Sequence, residues 1–299
     1  MYRVKKNKWV KEGFNMKIKM ITALTFIILL SACGGIKKTS ETDLKISGLK
    51  GRVKSVKYST YDTELKFGEI KKGTRSSSGQ DNRYYYFNEK EVKIEEGERD
   101  SYDRIQRKTL YKYNDEGKLI QTSDFDSRVE FAGKTIYTRD DKGNLIEASD
   151  FNSKGEFIGK IIYTRDSKGN AVETNSYNSM GSLNSKFKFE YDKKGRVLES
   201  IYYGSDGELR DKTYFKYDGK GRVIEVKLIT EDSIFIKNFK YENKEKDDVT
   251  LMIQYEGYLT MSKTRYMYKY DENGNWIQKI SIEDEKPKVI EEREIEYYM

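Results

Sequence analysis

The chain has 299 residues, with 57 Lys and Arg against 50 Asp and Glu, no histidine, one cysteine, one proline, 25 tyrosines and 13 phenylalanines. Without histidine it cannot build a Ser-His-Asp or Cys-His nucleophile, and it lacks the commonest metal ligand. A single cysteine excludes an internal disulfide and a thiolate metal cluster, while the aromatic load argues against disorder.

Residues 16 to 33 read MKIKMITALTFIILLSAC. Lys17 and Lys19 form a charged start, Ile21 to Leu30 an apolar run, and Leu30-Ser31-Ala32-Cys33 a small-residue junction. The run is too short to span a bilayer, which takes about 20 apolar residues. It reads as a secretory signal peptide over residues 1–32, with Met16 able to serve as the start. The four junction residues resemble the lipobox of bacterial lipoprotein signals. That resemblance implies cleavage before Cys33, lipidation of Cys33 and a membrane partner reached through the lipid. Gly34, where an aspartate would hold many lipoproteins at an inner membrane, favours an outer membrane or the cell surface by the same resemblance. Residues 1–32 carry seven Lys or Arg and one Glu, a net +6 of the chain's +7. The remaining 33–299 are nearly neutral, so nucleic acid is not an expected partner.

Residues 33–44 are expected to be the lipidated cysteine and a tether. Over 45–82, GRVKSVKYSTYD alternates cleanly and predicts a strand or two, followed by a mobile loop at 73–82, GTRSSSGQDN. From 83 to 299 the chain repeats. Gly117, Gly143, Gly169, Gly195 and Gly221 are spaced by 26 residues, as are Lys108, Lys134, Lys160, Lys186 and Lys212, and such a fixed period marks a repeat architecture. A second turn signal places Gly155, Gly181 and Gly207 halfway through the units. Each unit is then a hairpin with its connection, about seven units and fourteen strands in all. In YDKKGRVLES, Asp192 can accept a backbone N–H two residues on, and Gly195 supplies the positive φ that a following bulge needs. Alternation puts Phe187, Phe189 and Tyr191 on one face. The predicted fold class is all-β, with repetitive antiparallel hairpins forming a long curled or spiralling sheet.

The recurring phrase YDxxGxxxE, followed by YxSxGxLxxKxxYxYDxxG, resembles the RHS/YD repeats of bacterial envelope proteins and, more loosely, MORN-type repeats of antitoxin-like proteins. The resemblance covers about 83–299 and implies a scaffold rather than an enzyme. Arg139 and Arg165 stand where the motif has tyrosine. The long array and autoprotease core of toxin-delivery members are missing, so a cocoon around a toxin is not expected.

The candidate binding surface is an aromatic column, Tyr111, Tyr137, Tyr163, Phe189, Phe215, Tyr241 and Tyr268, together with Trp276. Exposed, these rings would stack on a glycan or grip an envelope protein. Half-buried, they would form a cross-strand aromatic ladder, which is the favoured reading. Glu147, Glu173, Glu199 and Glu225 also recur in register. A catalytic carboxylate pair is a unique constellation, so these glutamates read as a ladder with lysines of adjacent strands. The DDKGN and DENGN turns are too short for a calcium loop, and no metal or cofactor is expected. The period fails over 241–262, where Asp247 replaces the turn glycine and function or a capping end is expected. The sequence therefore points to a non-enzymatic, envelope-anchored binding or structural scaffold. A carbohydrate-active enzyme using carboxylates and an immunity or antitoxin-type binder are the alternatives.

Overall fold

A computed structural model describes residues 42–242 and 248–299. A helical turn α1 (Asp43–Ile46) precedes β1 (Val53–Lys66), β2 (Glu69–Arg75), β3 (Arg83–Phe87) and β4 (Lys93–Arg99). The regular arc follows as β5 (Ile105–Tyr113), β6 (Leu119–Phe125), β7 (Phe131–Arg139), β8 (Leu145–Asn152), β9 (Phe157–Arg165) and β10 (Ala171–Asn178). It continues through β11 (Leu183–Tyr191), β12 (Val197–Tyr203), β13 (Leu209–Tyr217) and β14 (Val223–Thr230). The chain closes with β15 (Ile234–Lys240), β16 (Leu251–Glu256), β17 (Leu259–Tyr270), β18 (Trp276–Glu283) and β19 (Lys286–Tyr297).

The expectation of an open curled or spiralling sheet is overturned, because β1 and β19 pair antiparallel from Val53↔Tyr297 to Asp62↔Val289. On its other edge β1 pairs with β3 through Ser55–Lys57 and then with β2 through Tyr61–Lys66. The ring therefore runs β1, β3 and onward to β19, an 18-strand closed barrel with β2 as a side strand. An even number of strands lets the closing pair be antiparallel like every other. Closure removes the two open edges that a spiral would leave.

Following directly opposed residues assigns the faces. Phe189 faces Ser200, Ser200 faces Thr213, Thr213 faces Leu228, and the chain of pairs returns to the seam on the same side, where Ile295 faces Val56 and Val56 faces Tyr85. This face is the inner one. Phe189 and Phe215 are only 6% exposed, whereas their strand neighbours Lys188 and Lys216 are open to solvent.

The tyrosine-aspartate turns are built as their chemistry predicts. Asp192 Oδ1 accepts the Lys194 and Arg196 backbone N–H groups at 2.8 and 2.9 Å, and Gly195 takes φ +80°. The tyrosine has a separate task. The β10–β11 ladder has its first rung at Glu173↔Lys188, which leaves the Ala171 carbonyl beyond it, and the Tyr191 hydroxyl donates to that oxygen at 2.7 Å. Tyr217 does the same for Val197 at 2.7 Å, and Tyr113 for Lys93 at 2.6 Å. The two arginine departures are equivalent struts: Arg165 Nε donates to the Leu145 carbonyl at 2.8 Å and Arg139 Nη2 to that of Leu119 at 3.4 Å. Both residue types satisfy a carbonyl that would otherwise lack a partner.

The fold begins before the expected end of the tether at 44. Leu44 in α1 is 2% exposed and packs with Leu49, Val53, Val56 and Phe87 against the seam. Asn275, 2% exposed, accepts the Lys50 N–H and donates to the Lys50 carbonyl and the Tyr297 hydroxyl, each at 2.8 Å.

Candidate functional site

On the inner wall, Tyr111, Tyr137, Tyr163, Phe189 and Phe215 lie in register with Thr122, Ala148, Thr174, Ser200 and Val226 on the intervening strands. The expected aromatic ladder does not form along these five, because each ring leans over a smaller residue. That spacing accommodates one ring on every second strand of a curved wall. Tyr163 is 9% exposed and the other two tyrosines are half-buried. Burial pushes the Tyr163 hydroxyl up to about 12 and raises Tyr111 and Tyr137 as well.

The three remaining predicted positions are engaged in other ways. Tyr241 is a strut, donating to the Val223 carbonyl at 2.8 Å, because the β14–β15 connection is two residues shorter than that of β12–β13. Tyr268 stays on the inner wall opposite Lys279 and donates to the Val249 carbonyl at 2.8 Å. Trp276 is covered by a guanidinium: Arg293 Cζ lies 3.4 Å from its ring centroid, and Lys279 Nζ lies 5.5 Å from it. Burial lowers the pKa of Arg293. Trp276 is therefore committed to an internal cation-π stack. Cys33 and Asp247 lie outside the described residues.

The outer wall carries the charge. Lys108, Lys134 and Lys186 lie over the rings of Phe125, Phe151 and Tyr203 at 5.1, 5.5 and 5.8 Å. Lys160 pairs with Glu147 at 2.9 Å and Lys216 with Glu225 at 2.9 Å. The expected glutamate–lysine ladder is thus formed at these two rungs. Glu173 instead accepts from Asn175 at 2.7 Å.

A second site, missed by the sequence, lies on the outer face where β1 leaves β3 and takes up β2. The expected mobile loop at 73–82 is instead ordered: it ends β2, makes a 3-10 turn at Gly79–Asp81 and runs into β3. Asn82 is fully buried; its amide donates to the carbonyls of Ser76 and Ser78 at 2.7 and 2.9 Å, and its Oδ1 accepts from Arg75 Nε at 3.0 Å. Beside this segment is a groove of about 510 Å³ lined by Lys57, Ser59 and Tyr61 of β1, Tyr84 and Tyr86 of β3, Glu95 and Arg99 of β4, Glu294 of β19, and Arg75, Asp103 and Ile105. Its size falls in the range of about 300–1,000 Å³ usual for ligand pockets. Tyr84 and Tyr86 meet edge to face at 5.6 Å, and Tyr84 donates to Glu95 at 3.0 Å. Arg75 pairs with Asp103 at 2.9 Å, and Arg99 also pairs with Asp103. The hydrogen bond from Arg75 heads the causes that hold the Asp103 carboxyl below its ordinary value. Gly97 admits the Tyr84 ring, since a Cβ there would lie 2.6 Å from it. A glycine in mid-strand marks such close approaches, and with the broken repeat at 73–82 it was the available signal.

No family model matches the chain, and no curated relative matches it. Among solved structures it is similar to a porin-like protein from Bacteroides uniformis, at 11% identity and TM-score 0.42, covering 83% of this chain and 98% of that one. It is also similar to a chain of the Photorhabdus luminescens Tc holotoxin pore, at 9% identity and TM-score 0.27, covering 74% of this chain but 15% of that one. A chain of a TcdB2-TccC3-Cdc42 structure gives 10% identity and TM-score 0.25, covering 76% of this chain and 16% of that one. Likenesses at this level carry no argument about function.

Proposed function

We propose that the chain is a water-facing β-barrel held at the cell envelope by a lipidated Cys33, and that it acts as a binding scaffold and not as an enzyme. The observation that carries this reading is the outer wall. Lys134, Lys160, Lys186 and Lys212 project outward from the middle of β7, β9, β11 and β13. A lysine on the lipid face of a membrane barrel costs about 2–4 kcal/mol at the bilayer midplane. Several such residues on one wall favour water over lipid, which leaves attachment to the anchor. The tether's exit fits this: Leu44 N–H bonds the Glu91 carbonyl at 3.1 Å and Tyr113 reaches Asp43 at 3.1 Å, both at the rim of the tyrosine-aspartate turns. Cys33 lies nine positions before Thr42, so that rim stands within about 30 Å of the lipid. The glutamates that would serve a hydrolase recur around the wall, and two of them are engaged by lysines.

Fractionation tests the reading. Wild-type chain should sediment with membranes and take up a palmitate analogue, whereas Cys33→Ala should be unlabelled and released by alkaline carbonate. Retention of Cys33→Ala through carbonate extraction would mean that the barrel itself spans the bilayer.

A further inference from the structure

We infer that the outer groove at the β1–β2–β3 junction is a saccharide-binding site that takes a neutral, hydroxyl-rich sugar. The inference deepens the binding-scaffold reading but does not depend on the anchor. Three features carry it.

The first is shape. The groove exists because β1 divides its edge between two partners, leaving residues 58–60 between the β3 and β2 ladders, and because the 73–82 segment is pinned beside it. Thr60 Oγ1 donates to the Asp81 carbonyl at 2.8 Å, and Arg99 N–H to that of Asn82 at 2.9 Å. Its walls are therefore set without a ligand, which lowers the ordering cost of binding.

The second is the aromatic surface. Tyr84 is 4% exposed and fixed by its bond to Glu95, so it serves as a floor, with Tyr86 half-exposed beside it and Tyr61 half-exposed with Lys72 Nζ over one face, 4.9 Å from the ring centroid. Flat rings held at low entropy cost match the C–H face of a pyranose, and their hydroxyls add hydrogen-bonding capacity.

The third is charge. The lining holds three cations, Lys57, Arg75 and Arg99, and three carboxylates, Glu95, Asp103 and Glu294. Arg75 and Arg99 both engage Asp103, and Lys57 stands directly opposite Glu294. Balanced and internally matched charges give no net attraction for an ionic ligand. The Lys57 ammonium and the Glu95 and Glu294 carboxylates line the groove as a donor and acceptors for sugar hydroxyls.

The test is saturation-transfer NMR on the full chain in a sugar-free zwitterionic detergent, with maltotriose, cellotriose and chitotriose as neutral probes and dextran sulfate as the anionic one. At least one neutral trisaccharide should receive saturation and dextran sulfate should not. Tyr86→Ala and Tyr61→Ala should each cut the signal at least fivefold, while Tyr202→Ala on the inner wall should leave it unchanged, with thermal melts to check that all three fold. Transfer to none of the neutral probes, transfer to dextran sulfate alone, or equal loss in Tyr202→Ala would overturn the assignment. These results are independent of fractionation, which reads the anchor.

Discussion

The arc from β5 to β14 and the seam where β1 meets β19 are made of the same strand material but solve different problems. In the arc each hairpin needs only its neighbours: an Asx turn, a positive-φ glycine and a strut to the preceding unit, repeated with tyrosine or arginine. At the seam, strands from opposite ends of the chain must be matched. There the structure relies on fully buried apolar residues such as Val56 and Phe87 and on a side-chain clamp at Asn275. Redundant local rules build the wall, and non-local contacts close it.

Five substitutions would break or sharpen that contrast. The largest effect is expected at the clamp. Asn275→Ala leaves the Lys50 N–H and carbonyl without partners at the seam and should cost about 2–4 kcal/mol in denaturant unfolding. Its counterpart Asn170→Ala, which loses a bond to Asp166 within one turn, should cost about 1 kcal/mol. Equal losses would show that closure is no more dependent on single residues than the arc.

Asp211 gives the intermediate effect. It lies on the inner wall opposite Thr230 and Tyr202, and burial pushes its carboxyl up to about 6. A group whose folded pKa is raised binds more protons in the folded state, so it lowers stability as pH rises from about 4 to about 6 and holds that penalty above. Asp211→Asn should therefore stabilise the barrel by about 1–2 kcal/mol at pH 7, with the gain vanishing below pH 4. Thermal melts across that range would show it, and a gain that persists at pH 3.5 would contradict the assignment.

The smallest effect concerns the struts. Tyr217→Phe removes the bond to the Val197 carbonyl and should cost about 1 kcal/mol, whereas Tyr217→Arg should cost less than about 0.5 kcal/mol, since Arg139 and Arg165 already fill that role. An arginine variant that destabilises more than phenylalanine would mean that the ring, rather than its donor, supports the wall.

Most of the wall was legible because its determinants are local. Asp192 and Gly195 carry their turn chemistry within five residues, and the alternation around Phe187 and Phe189 states which side turns inward. Closure was not legible, because the pairing of Val53 with Tyr297 depends on how twist and stagger sum around the whole ring. Tyr241 was misplaced because a connection shortened by two residues turns a column position into a strut. Trp276 could not be read as an internal stack, since its partner Arg293 is 17 positions away with nothing in the repeat to link them. The groove was hidden for a similar reason. A polar, glycine-containing stretch such as 73–82 looks mobile until its own Asn82 is seen fully buried.

The β1–β19 pairing also bears on how the molecule comes to exist. Val53 and Tyr297 are 244 positions apart, so the last rungs of the ring carry nearly the largest loop-closure entropy the chain can incur, and contacts of such separation form slowly. Hairpins of the arc can assemble as they emerge, but β1 keeps an unpaired edge until β19 has been delivered. The barrel can close only after almost the whole polypeptide is available, which makes the exposed edge of β1 the point at which aggregation would compete with folding.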